Sequence, residues 1–94
     1  MEKEWKFDQQ PNCAAITDLY ILNKNEPILC VVHYLDDDSW AFLSGKTNKT
    51  EDGRVISMQE ALDFDPTIIT IAHLQPGHKA YRKNVKSEWK IEKE

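Results

Sequence analysis

The stretch that decides the fold is residues 28–43, which read ILCVVHYL, DDDS and WAFL in succession. Residues 28–35 are rich in β-branched side chains and carry apolar groups on both faces, which is typical of a strand inside a sheet. Two apolar runs separated by the polar residues 36–39 predict a β-hairpin. Trp40 and Phe42 lie two positions apart, so both rings project from one face of the second strand, where we expect them to cover the core.

The segment before this hairpin contains weaker signals of regular structure. Trp5 and Phe7 are also two residues apart, which places both rings on one face of an extended segment. Residues 13–17 form a short apolar run that predicts a strand. Residues 18–23 predict a single helical turn, and we expect Thr17 to be its N-cap.

Two cap signals after the hairpin predict two short helices. Ser57 is followed three residues later by Glu60, which is the pattern of a capping box. Asp65-Pro66 provides a second N-cap with proline at the first helical position. Residues 67–72 contain many β-branched side chains, which favour a strand. Because their apolar spacing and the preceding cap favour a helix, we expect a helix there.

The remaining segments complete a single domain. Residues 44–53 form a polar loop that is long for so small a protein. Residues 54–56 and 78–83 predict strands, and residues 87–91 predict an additional edge strand. The chain shows no βαβα alternation, so we expect an α+β fold, a mainly antiparallel sheet with two short helices packed on one face. We expect one domain over residues 1–94, with a compact part over about 5–91 and a polar C-terminal tail.

Composition and charge narrow the class of protein and of partner. The chain has 94 residues and a formal net charge of −4, with the negative excess in residues 1–78. An acidic body repels nucleic acid and favours basic protein partners. No apolar run is long enough for a membrane span, and the charged residues 1–4 do not resemble a signal peptide. We therefore expect a cytoplasmic protein, in which Cys13 and Cys30 are reduced core thiols, with a disulfide between them as the alternative.

No catalytic, cofactor-binding or metal-ligating residue is predicted. The three histidines, His33, His73 and His78, follow no known metal-ligand spacing, and no cofactor is expected. Cys30 lies three residues from His33 on the same strand, so the two side chains point to opposite faces. A thiol enzyme that uses Cys13 with His33 remains a minor alternative.

Residues 79–90 contain interleaved basic and aromatic side chains, as do proteins that bind single-stranded nucleic acid. The alternative is an ordinary strand, with Tyr81 in the core and Trp89 packed back on the sheet. The acidic net charge favours this second interpretation, so nucleic acid is not the expected partner.

The strongest candidate for binding is negative charge near the hairpin. We expect the hairpin turn and the end of the long loop to form a patch of five carboxylates around Trp40, on which a basic protein partner would dock. The alternative is a solvated turn. The five candidate residues are Asp36, Asp37, Asp38, Glu51 and Asp52.

A set of short motifs resembles a known family. The motifs are Trp40-Ala-Phe-Leu-Ser-Gly45, Val55-Ile-Ser-Met-Gln-Glu60, Asp65-Pro-Thr-Ile68, Leu74-Gln-Pro-Gly77 and Ala80-Tyr-Arg82, preceded by Trp5-Lys-Phe7, Pro11-Asn12 and Ala15-Ile-Thr17. Together they resemble a bacterial domain family of unknown function that is grouped with the immunity proteins of polymorphic toxin systems. Ser39 stands where members of that family often have glycine, a difference that affects the hairpin turn.

The resemblance implies a cytoplasmic, non-enzymatic protein that neutralises a toxin by direct binding, for example a basic toxin domain. No family residue is transferred as catalytic or binding, because the matching positions are caps, turns and core. The alternative is an accessory or regulatory domain without a toxin partner.

Overall fold

The computed structural model describes residues 5–93, so the charged residues 1–4 and Glu94 lie outside it. Its regular elements are β1 (Ala14–Asp18), α1 (Leu19–Lys24), β2 (Cys30–His33), β3 (Trp40–Leu43), β4 (Gly53–Ser57), α2 (Met58–Phe64), β5 (His78–Tyr81) and β6 (Lys90–Lys93). Two 3-10 helices span Thr50–Asp52 and Pro66–Ile71.

All six strands belong to one sheet, in the order β4-β1-β3-β2-β5-β6. β2 and β3 form the predicted hairpin, in which His33 pairs with Trp40. β2 lies between β3 and β5, which confirms the prediction that it is an interior strand. The pair β1–β3, joined at Ile16 and Ala41, is parallel, and every other pair is antiparallel. The predicted α+β class with a mainly antiparallel sheet is confirmed.

The core lies between one face of this sheet and the short helices. Trp40 and Phe42 are both 0% exposed, as their shared face predicted. Phe7 packs edge-on against both rings, with centroid distances of 5.1 Å to Trp40 and 6.0 Å to Phe42. Such edge-to-face contacts stabilise aromatic clusters beyond the area they bury. The N-terminal segment is therefore part of the core. The helices contribute Ile21, Met58, Ala61, Ile68 and Ile71 to the same cluster.

The capping box is present as predicted, but the cap of α1 is a different residue. Ser57 Oγ accepts a hydrogen bond from Glu60 N at 3.0 Å, and Glu60 Oε1 accepts one from Ser57 N at 2.9 Å. At α1 the prediction of Thr17 is wrong, because the hydroxyl of Thr17 donates to the carbonyl of Phe42 at 2.7 Å. Asp18 is the N-cap instead.

The segment after Asp65 is helical, as expected, but it is a 3-10 helix (Pro66–Ile71) and not an α-helix. Asp65 caps it by accepting the N–H of Thr67 at 3.1 Å. β-branched side chains crowd the preceding turn of an α-helix, which explains the preference for a short, tighter helix.

A buried ion pair ties this 3-10 helix to the sheet. Arg82 Nη2 donates to Asp65 Oδ2 at 2.9 Å and to the carbonyl of Ile28 at 2.8 Å. The second carboxylate oxygen, Oδ1, accepts both the N–H and the hydroxyl of Thr67. Burial lowers the pKa of Arg82, and the charge and hydrogen bond of Asp65 oppose that shift. The carboxylate therefore offsets only part of the cost of burying the guanidinium.

Several strand boundaries differ from the prediction by one to three residues. Residues 34–35 leave β2, because Tyr34 N donates to the carbonyl of Ser39 and thereby closes the turn. Residues 82–83 leave β5, since Arg82 is bound to Ile28 and Asp65. The edge strand expected at residues 87–91 is β6, Lys90–Lys93, so the C-terminal segment described as a polar tail extends the sheet, although its four side chains are exposed.

The structure also locates the thiols and the helices. Cys13 and Cys30 are half-buried thiols that are not joined by a disulfide. Within residues 5–93, no helix combines the length and the apolar character needed to cross a membrane.

Candidate functional site

The predicted acidic residues lie in two separate places. Asp36, Asp37 and Asp38 are exposed in the turn that leads into β3. Glu51 and Asp52 lie beyond the other end of that strand. Gly53, the residue after Asp52, pairs with Asp18 in the sheet. The carboxylate of Asp18 accepts the N–H of Ser44, the residue that follows β3, at 2.9 Å. The two groups lie at opposite ends of β3, so the five carboxylates do not form the single patch around Trp40 that was expected.

The hairpin turn is joined instead by Asp8, a residue that the sequence did not indicate. Asp8 Oδ2 lies 3.4 Å from Nε2 of His33, and Asp38 Oδ1 lies 4.0 Å from the same nitrogen. One atom from each residue of this trio lies within 4.8 Å of the other two. The structure therefore places two carboxylates around one imidazole nitrogen.

His33 is held rigidly at the centre of this trio. Its side chain is 2% exposed and projects from β2 toward the core face. The imidazole stacks on the indole of Trp40, with ring centroids 4.0 Å apart and an interplanar angle of 19°. Nδ1 lies 2.7 Å from the carbonyl oxygen of Leu74. A carbonyl can only accept, so Nδ1 carries a hydrogen and donates it.

The other ring nitrogen of His33 is in an unusual position. Nε2 is buried and makes no hydrogen bond within the described part of the chain, although it faces Asp8 and Asp38. Buried polar atoms are nearly always paired, and an exception requires a physical explanation. In the tautomer that Leu74 selects, the neutral ring presents a lone pair toward two acceptors.

Both carboxylates are positioned by further contacts. Trp40 Nε1 donates to Asp8 Oδ1 at 2.9 Å, so the other oxygen of Asp8 is turned toward His33. Asp38 has a left-handed backbone, with φ of 60°, and its carbonyl accepts a hydrogen bond from Gln9 at 3.1 Å. These contacts link the N-terminal segment to the hairpin turn.

The neighbouring Asp37 contributes charge to the same end of the sheet. Hydrogen bonds from the side chain and the backbone of Ser39 lower the pKa of Asp37 below its ordinary value. The carboxylate is therefore ionised over a wider pH range than an isolated aspartate.

The other predicted chemical residues are engaged elsewhere. Both nitrogens of His33 face oxygen atoms, Nδ1 the carbonyl of Leu74 and Nε2 the carboxylates of Asp8 and Asp38. His78 approaches the carbonyl of Pro76 through Nδ1, and His73 is exposed. The sequence pattern missed Asp8, because its proximity to His33 depends on how an irregular N-terminal segment packs on β3.

Three of the basic and aromatic residues between positions 79 and 90, Tyr81, Arg82 and Trp89, make contacts within the fold. The guanidinium of Arg82 lies over the ring of Trp89, 4.1 Å from its centroid, and Trp89 packs against the core as expected. Tyr81 is 38% exposed, so its expected core position is wrong. Its hydroxyl donates to Glu92 at 2.8 Å, which raises the pKa of Tyr81 above its ordinary value.

Comparison with known proteins yields no relative for this chain. No family model matches the sequence, and neither a curated protein nor a solved structure matches it significantly. The resemblance to immunity proteins therefore stays a prediction.

Proposed function

We propose that this protein is a small cytoplasmic, non-enzymatic binding domain that neutralises a basic partner, such as a toxin domain, by direct contact. The observation that carries the proposal is the concentration of four carboxylates at one end of the sheet. We call this surface the acidic end, and it consists of Asp8, Asp36, Asp37 and Asp38.

The charges of the acidic end are available to a partner. The side chains of Asp8 and Asp38 are 48% and 57% exposed, and Asp36 and Asp37 are also exposed. Two ion pairs of basic side chains within residues 5–93, Lys79–Glu92 and Arg82–Asp65, are formed with other carboxylates. A concentrated negative surface steers a basic partner and raises the association rate more than the final affinity.

An exposed apolar side chain lies beside these charges. Leu35, in the same turn, is 72% exposed. Protein interfaces commonly combine an apolar centre with a polar rim. Leu35 would supply the apolar contact, and the surrounding carboxylates would set the orientation of the partner.

The proposal is tested by measuring association kinetics with a partner captured from a native lysate. Replacing Asp36 and Asp37 by Asn removes two charges of the acidic end and leaves Asp8 and Asp38 in place. We expect a slower association rate and a weaker dependence on salt, because screening acts over a Debye length of about 8 Å at physiological ionic strength. Folding should be nearly unchanged, since exposed charges contribute little to stability.

The matched control is the pair Glu51→Gln and Asp52→Asn at the other end of β3. This control removes the same number of charges and should leave the association rate close to that of the unmodified protein. If the control slows association and the Asp36/Asp37 variant does not, the partner docks at the long loop and the acidic end is not the interface.

A further inference from the structure

We propose that Asp8, His33 and Asp38 form a binding site for a divalent transition-metal ion, with Zn²⁺ as the best-fitting species. This inference stands independently of the proposed partner binding. It rests on the buried, unpartnered Nε2 of His33 and on the two carboxylate oxygens that face it.

The imidazole is prepared in the form that a metal requires. Nδ1 of His33 donates its hydrogen to the carbonyl of Leu74 at 2.7 Å, so in the neutral imidazole the lone pair lies on Nε2. Metal-binding histidines are usually held in this way, with the distal ring nitrogen hydrogen-bonded to a carbonyl or carboxylate. The stacking on Trp40 further restricts rotation of the ring.

The positions of the oxygens explain why a cation belongs between these groups. Two carboxylates that face one ring nitrogen create a negative potential there, and a positive ion at their centre converts the repulsion between them into attraction. For metal–ligand bonds of about 2.0–2.1 Å, neighbouring ligand atoms of a tetrahedral site are about 3.3–3.4 Å apart. Asp8 Oδ2 lies at 3.4 Å from Nε2, and Asp38 Oδ1 lies at 4.0 Å. A shift of under about 1 Å in the exposed turn brings Asp38 to the same spacing.

The surroundings of the trio also match a three-ligand metal site. The N–H at Nε1 of the buried Trp40 donates a hydrogen bond to Asp8 Oδ1 and thereby orients the carboxylate. Metal ligands are commonly held in place by such hydrogen bonds from neighbouring residues. One nitrogen and two oxygen ligands suit Zn²⁺ and similar first-row ions better than Mg²⁺, which prefers oxygen ligands alone. Because Asp8 and Asp38 are about half-exposed, a fourth position is open to water or to a group of a partner.

The experiment is calorimetric titration of the full chain with Zn²⁺, and with Mg²⁺ for comparison. We expect one Zn²⁺ to bind per chain, and Mg²⁺ to bind much more weakly. Asp8→Asn and Asp38→Asn should each lower the affinity for Zn²⁺ by more than about tenfold, because each removes a charged ligand. Asp37→Asn is the matched control, since it removes a charge from the same turn without removing a ligand, and its affinity should be within about threefold of the unmodified protein.

A spectroscopic measurement identifies the histidine nitrogen that binds the metal, without any substitution in the core. In ¹⁵N NMR of the imidazole rings, Zn²⁺ should shift Nε2 of His33 and leave His73 and His78 unchanged. Absence of Zn²⁺ binding at millimolar concentration overturns the proposal. The proposal is also overturned if the Asp8→Asn and Asp38→Asn variants bind Zn²⁺ with the affinity of the unmodified protein. A His33 ring that keeps hydrogens on both nitrogens when Zn²⁺ is present has the same consequence.

These results are separable from those on partner binding. The Asp36/Asp37 variant keeps all three proposed ligands and should still bind Zn²⁺ if its association with a partner is slowed. Conversely, failure of Zn²⁺ to bind leaves the association experiment unaffected.

Discussion

Replacing Asp65 by Asn is expected to be one of the most damaging conservative substitutions in this protein. Each carboxylate oxygen of Asp65 accepts two hydrogen bonds, Oδ1 from Thr67 and Oδ2 from Ile28 N and Arg82. The side-chain amide of Asn turns one of these acceptors into a donor. Whichever way the amide is oriented, a donor then faces donors, and the guanidinium of Arg82 loses its counter-charge.

The expected loss follows from the burial of this ion pair. The side chains of Arg82 and Asp65 are only 2% and 8% exposed. Removing one partner of a buried ion pair costs about 3–5 kcal/mol, because the other charge stays buried without compensation. The whole domain is expected to be stable by about 5–14 kcal/mol, so this loss is a large part of the total. For a domain of this size, it lowers the melting temperature by about 12 °C or more.

The measurement is thermal and chemical denaturation followed by circular dichroism. Asp63→Asn is the matched control, since Asp63 is exposed and accepts a hydrogen bond from Gln59 within the same helix. It should change stability by less than about 0.5 kcal/mol. In the Asp65→Asn background, Arg82→Met should restore part of the loss because it removes the uncompensated charge. An Asp65→Asn protein that melts within a few degrees of the unmodified one would refute the view that this pair is desolvated.

Three further outcomes are expected. Ser57→Ala should cost about 1 kcal/mol and lower the melting temperature by about 4–8 °C, and an unchanged melting temperature would show that the capping box does not contribute. Trp40→Ala should cost about 3–5 kcal/mol in denaturant titrations, and a fully stable variant would contradict the burial of the indole. In ultraviolet pH titration, Tyr81 should ionise at higher pH in the unmodified protein than in the Glu92→Gln variant, because the neutral phenol donates to the carboxylate. Coincident titration curves would show that this hydrogen bond is absent in solution.

Features set by neighbouring residues could be predicted from the sequence. The hairpin of β2 and β3, the burial of Trp40 and Phe42, and the capping box all depend on residues within a few positions of one another. In these cases, the local periodicity and the hydrogen-bonding capacity of the side chains are sufficient.

The choice between Thr17 and Asp18 as the cap of α1 shows where such reasoning fails. Both side chains can cap a helix, so the local pattern does not distinguish them. Partners that are distant in sequence determine which residue is the cap. The hydroxyl of Thr17 donates to the carbonyl of Phe42, and the second carboxylate oxygen of Asp18 accepts hydrogen bonds from Ser44. The same limit applies to the candidate site, since Asp8 is placed beside His33 by long-range contacts with Trp40, the packing of Phe7 and the hydrogen bond from Nε1.

The place of β1 in the sheet has a consequence for the order in which the protein is assembled. β1 precedes the other strands of residues 5–93, yet it lies between β3 and β4, and its pairing with β4 extends to Ser57. During translation, the strand therefore has no complete site until the residues up to Ser57 have left the ribosome. Closing contacts over such separations costs chain entropy and slows folding. We therefore expect the hairpin of β2 and β3 to form early, and the N-terminal strand to insert late. Substitutions in β1 would then act mainly by accelerating unfolding, because their contacts form after the rate-limiting step.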